Sequence, residues 1–144
     1  MSMRTWTIDG YGVNVSNLKI DDYMMAAFLR KYFSNDFEIF DIKSDATDAE
    51  IVEIFDYSYE SGNGDLSVWA AVSDLILKKE NVFVEYIKGE CEEAIILPSC
   101  MPWQYNEKER ALTIEDLEEI FSKYFKELGY PEVDVDSQSI EFYG

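Results

Sequence analysis

Histidine is missing from the 144 residues altogether, and bases are scarce: 12 Lys and Arg stand against 30 Asp and Glu, a formal net charge of −18. Without histidine there is no Ser-His-Asp triad, no Cys-His pair and no histidine-bearing zinc site, and two cysteines cannot close a four-thiolate site. The charge excludes direct binding to nucleic acid or to an anionic membrane through a basic surface. Long apolar runs are also lacking, so no membrane span is expected, and Met1–Asp9 has no apolar run of the export-signal kind. The expected compartment is therefore cytoplasmic, with Cys91 and Cys100 as reduced thiols. No glycine-rich phosphate loop is present, because Gly62 and Gly64 in Ser61-Gly62-Asn63-Gly64 lack the flanking pattern. No cofactor is expected.

What the chain does have is core material. At 47% hydrophobic and 15% aromatic, it is too apolar for a disordered acidic tail, and its length suits a single domain spanning residues 1–144. Thr5–Val15 reads as a β-hairpin: Trp6 and Ile8 alternate with polar residues, Asp9-Gly10 is a strong turn dipeptide, and Val13 and Val15 alternate again. Ile20–Phe33 reads as an amphipathic helix with Met25, Phe28, Leu29, Tyr32 and Phe33 on one side and Tyr23 and Lys31 opposite. Asn35–Ser44 fits a strand or an irregular link equally. Thr47 with Glu50 is a capping box for a helix reaching about Glu60, where Ser61-Gly62-Asn63-Gly64 ends it.

Leu66–Lys79 is apolar nearly all round, as the most buried helix would be. Val82–Ile87 and Cys91–Leu97 flank Lys88-Gly89-Glu90 as a second hairpin. Thr113 with Asp116 opens a last helix, on which Glu119 is in register to pair with Lys123, and Gly129 followed by Pro131 closes it. Glu132–Tyr143 reads as a final strand. This order predicts the α+β class: a single domain with a largely antiparallel sheet, hairpins, and about four helices packed on it.

The acids are unevenly distributed. From Tyr32 to Leu77 there are eleven acids and one base, Lys43. Projecting the helix that starts at Asp48 at 100° per residue puts Glu50, Glu53, Asp56 and Glu60 on one side, with Tyr57 among them, and Ile51, Val52, Ile54, Phe55 and Tyr59 on the other. Like charges three or four apart repel by a few tenths of a kcal/mol per pair, so folding does not ask for such a stripe. Acids one turn apart lie about 5 to 6 Å from each other, a repeat that a groove for backbone phosphates accepts. The last eighteen residues add five acids and no base, among them Asp134 and Asp136. These two form a D-x-D on one face of the final strand; they could hold a metal, or extend the acidic surface, or simply face solvent.

Leu97-Pro98, Pro102-Trp103, Glu109, Leu112-Thr113, Glu115, Leu117 and Ile120, with the opening Trp6-Thr7-Ile8-Asp9-Gly10-Tyr11-Gly12, resemble a pattern in small uncharacterised proteins of Firmicutes phages and prophages. The resemblance covers about a third of the chain and brings no catalytic motif. It implies a phage context inside a bacterial host cell, where small acidic proteins, anti-CRISPR proteins among them, inhibit host nucleases by imitating DNA. Three readings follow. The first is a non-enzymatic inhibitor whose partner is a basic nucleic-acid-binding protein such as a Cas9-type CRISPR effector, held through Glu50, Glu53, Asp56, Tyr57, Glu60, Asp134 and Asp136. The second is a phage accessory protein that binds a protein partner through an aromatic surface. The third is a carboxylate- or Mg-dependent hydrolase.

Overall fold

The computed structural model describes residues 5–58 and 68–143. They form one α+β domain: a four-stranded antiparallel sheet with six helices packed mainly on one face. The strands are β1 (Thr5–Asn14), β2 (Glu85–Lys88), β3 (Glu93–Pro98) and β4 (Asp136–Tyr143), in the order β2-β3-β1-β4. The helices are α1 (Asp22–Tyr32), α2 (Ser34–Phe37), α3 (Asp48–Ser58), α4 (Val68–Glu80), α5 (Glu107–Ala111) and α6 (Ile114–Phe125). Single 3-10 turns occupy Pro102–Gln104 and Lys126–Leu128.

The expected hairpin at Thr5–Val15 does not form. One ten-residue strand runs straight through Asp9-Gly10 and pairs with β3 on one side and β4 on the other. The hydrophobic alternation changes phase at the glycines because β1 serves two cores. Val13, opposite Ile95, lies under the helices, whereas Ile8, opposite Ile140, lies on the other face of the sheet. Gly10 and Gly12 stand on that second face. A Cβ at Gly12 would come within 2.0 Å of the Ile95 carbonyl oxygen, and one at Gly10 within 2.3 Å of that of Leu97. Their missing side chains let Ile96 of β3 and Ile140 of β4 join one small cluster, with Ile87 and Ala94, across the middle strand. The β2–β3 turn bends onto the same side: Glu90 N donates to the Glu141 carbonyl at 3.0 Å, and Gly89 leaves room for Ile140.

The main core lies between the sheet and the helices. As its composition predicts, α4 is the most buried helix, with Val68, Trp69, Ala70, Ala71, Val72, Leu75 and Ile76 all inside. The second hairpin is present with shorter strands than expected, and α6 begins at the Thr113–Asp116 capping box. Gly129 follows α6 and its 3-10 turn with φ +98, a left-handed conformation that glycine adopts without Cβ strain. The final strand starts at Asp136 rather than Glu132. Ser34–Phe37 supplies a short helix where the sequence was ambiguous, and α5 is an additional element with its own Asn106–Glu109 capping box.

Two carboxylates fasten α6 and the turn after it to neighbouring helices. Lys123 does not pair with Glu119; its ammonium reaches Glu80, at the end of α4, at 2.8 Å. Tyr124 donates to the same oxygen at 3.1 Å, and Lys108 stands 3.8 Å from the other. A half-shielded carboxylate already holding a tyrosine hydroxyl is a stronger attractor than an exposed Glu119 one turn away. Glu127 in turn accepts from Lys31 and, at 2.5 Å, from Tyr32 OH, tying the 3-10 turn to α1.

The Lys123 hydrogen bond holds the Glu80 carboxyl below its ordinary value of 4.5. At Glu127 burial opposes the charge, but Lys31 and Tyr32 outweigh it and the net displacement is also downward. Depressed folded-state values mean that this stabilisation is complete above the unfolded range and is lost as pH falls through the folded-state values. Glu80→Gln is expected to cost about 1–2 kcal/mol at pH 7, with the difference from the parent shrinking below pH 4.5, as read by urea denaturation across pH. Gly12→Ala is expected to cost about 3 kcal/mol in the same assay, since its Cβ meets strand backbone that cannot step aside.

Candidate functional site

The acidic helix α3 is placed by its buried side. Ile51, Val52 and Phe55 are in the core, so Glu50, Glu53, Asp56 and Tyr57 face solvent, as the periodicity requires. Its first turn is capped by Thr47, whose Oγ1 accepts from Glu50 N at 3.3 Å and bonds the Glu50 carboxylate at 3.0 Å. Glu50 thus has a structural role as well as an exposed charge. Glu60 lies outside the described residues.

Helix α3 packs on α1, and the charges show how the pair is oriented. Arg30, near the end of α1, bridges to Asp48 at the start of α3 at 2.8 Å. Asp22, at the start of α1, acts electrostatically on Asp56 near the end of α3. The helices are therefore antiparallel. One end of the pair is neutralised by Arg30, and the other gathers acids: Asp21 and Asp22 from α1 with Asp56 from α3.

Asp21 is the N-cap residue of α1, yet its carboxylate makes no capping hydrogen bond. Partial desolvation, followed by repulsion from Asp22, raises the Asp56 carboxyl above its ordinary value. Two tyrosines stand out at this end, Tyr57 at 85% and Tyr23 at 73% exposed. Tyr23 was legible only as an aromatic on the polar side of its helix, and neither it nor Asp21 and Asp22 belonged to the sequence-derived stripe.

Asp134 and Asp136 are elsewhere. Asp134 precedes β4, beside the half-buried Val133 and the buried Val135, and Asp136 opens that edge strand opposite Gly12. The acids of α3 and those of β4 stand on different layers of the fold. Glu127, another acid of the C-terminal segment, is engaged by Lys31 and Tyr32.

Among the described residues, no group of three or more cysteines and acids is arranged to hold a metal ion. A groove of about 410 Å³ surrounds Glu80 and is lined by Lys108, Leu112, Asp116, Glu119, Ile120 and Lys123. Two of its carboxylates already have structural partners: Glu80 holds Lys123 and Tyr124, and Asp116 caps α6. Cys91 and Cys100 are free and exposed, two residues beyond opposite ends of β3, and no described helix is long and apolar enough to cross a membrane.

The chain matches no family model, and comparison with curated proteins and with solved structures found no match.

A raised carboxyl gives Asp56 a definite signature. Its folded-state value exceeds its unfolded one, so its charge destabilises at neutral pH, and that penalty disappears as pH falls through the folded value towards 3.8. Asp56→Asn is therefore expected to stabilise the protein by a few tenths of a kcal/mol at pH 7, solvent screening keeping the gain small, and to have no effect near pH 3. Paired denaturation curves at the two pH values measure this.

Proposed function

We propose that the protein is a non-catalytic inhibitor that lays the acidic α1–α3 face into the basic nucleic-acid groove of a host defence nuclease of the Cas9 type, inside the bacterial cytoplasm, and keeps nucleic acid out. The observation that carries this reading is the convergence of Asp21, Asp22 and Asp56 at one end of the helix pair, continuous with Glu53 and Glu50. Asp21 and Asp22 suit the N-terminus of α1, but Asp56 is disfavoured by partial burial and by Asp22, a cost the fold does not require. A groove lined with Lys and Arg offsets that repulsion on binding and gains counterion release as nucleic acid does. Tyr57 and Tyr23 supply rigid aromatic surface beside the carboxylates, the pairing that anchors many protein interfaces.

Competition for a groove has an order and a salt dependence. A Cas9-type effector should be inhibited when the protein is added before target DNA, not when it is added afterwards, and inhibition should fade at high salt. The triple variant Glu50→Lys, Glu53→Lys, Asp56→Lys should lose at least about 100-fold in potency while keeping its circular dichroism spectrum. Full cleavage at every order of addition would remove the proposed target, and unchanged potency of the triple variant would remove mimicry.

A further inference from the structure

The turn after β3 builds a second surface of opposite character. Phe83, Leu97, Pro98, Gln104, Tyr105 and Glu109 line a depression of about 150 Å³. Its polar groups already have partners within the chain. Glu109 accepts from Phe83 N at 2.6 Å and Asn106 N at 2.8 Å, Tyr105 OH donates to the Pro98 carbonyl at 2.8 Å, and the Gln104 side-chain Oε1 accepts from Met101 N at 2.8 Å. Apart from the Gln104 amide NH2, what remains to offer is apolar wall, which suits one large aromatic side chain with a polar edge such as an indole. Beside it the Pro102–Gln104 turn holds Trp103 out at 76% exposed, with Met101 at 56% and Phe83 at 49%.

A projecting indole beside a largely apolar hollow makes a self-complementary pair. A two-fold interface requires this, because one patch must serve both copies. Charge then selects the occupant. Two chains of net charge −18 repel, yet Leu97–Asn106, the stretch that reaches the surface here, is ten residues without a charged side chain, in a chain where 29% are charged. Glu109, the acid in the lining, is buried under two backbone amides. An uncharged turn lets two copies approach here without setting like charges against each other. A strongly basic partner would instead gain most at the acids of α1 and α3.

We infer that the surface around Trp103 joins two copies of the chain, the indole of each filling the Phe83–Leu97–Pro98–Tyr105 depression of the other. This does not depend on the inhibitory function proposed above, and its salt response has the opposite sign. Sedimentation equilibrium of the full chain should show a monomer–dimer equilibrium that tightens as salt rises, because screening weakens the mutual repulsion. Trp103→Ala should weaken the dimer at least about tenfold, and Phe83→Asp, which puts a charge on the rim, should do the same. Both side chains are exposed enough that thermal melting should stay near the parent's. A mass of 16.7 kDa at every concentration and salt, or a dimer untouched by both substitutions, overturns the inference; a strict monomer would leave the face to a foreign partner.

Discussion

The approach of β3 to β1 at Gly10 and Gly12 is the constraint on which the rest of the fold depends. With no side chains there, the middle strand can be crossed from above by Ile96 and Ile140, and the sheet gains a small core on the face the helices do not cover. That second core lets a four-stranded sheet bury both sides in a chain of this size. It also fixes the position of β3, and with it the Pro98–Tyr105 turn that projects Trp103. The helical layer then covers the other face, with α4 its most buried helix.

Charge is distributed by the same economy of means. Few bases are present, and those that bind carboxylates bind structural ones: Arg30 to Asp48, Lys31 to Glu127, Lys123 and Lys108 to Glu80. Each of these joins two elements that sequence separates, so the scarce cations act as fasteners between helices rather than as neutralisers of the surface. Other acids, such as Glu109 and Asp116, serve backbone N–H groups, while Glu53, Asp56 and others on the helical layer face solvent. Where α1 and α3 run antiparallel, Arg30 bridges to Asp48 at one end of the pair, and Asp22 approaches Asp56 at the other.

The molecule thus presents two exposed surfaces of unlike chemistry. The α1–α3 end combines carboxylates with Tyr23 and Tyr57 and suits a basic groove. The turn around Trp103 is uncharged and apolar and suits its own kind. Salt acts on them in opposite directions, since screening weakens attraction between unlike charges and equally weakens repulsion between like ones.

Local signals were legible wherever the determining interaction lies within a few residues. The Thr47–Glu50 and Thr113–Asp116 caps, the apolar circumference of α4 and the outward stripe Glu50, Glu53, Asp56 follow from helical spacing alone, and the α+β class follows from their order. The Asn106–Glu109 box of α5 carried the same kind of signal. What spacing could not supply were relations between distant segments. Asp9-Gly10 has the chemistry of a turn, and only the presence of β3 and β4 on its two sides makes it part of a strand. Glu119 is Lys123's neighbour along the helix, and only packing brings the better-shielded Glu80 within reach. Asp22 and Asp56 share a site because two helices happen to lie antiparallel. Sequence by itself determined which residues each element turns inward or outward, because that is a matter of local period; tertiary structure alone decided which of those faces meet, because long-range pairing depends on the shape and charge of both partners at once.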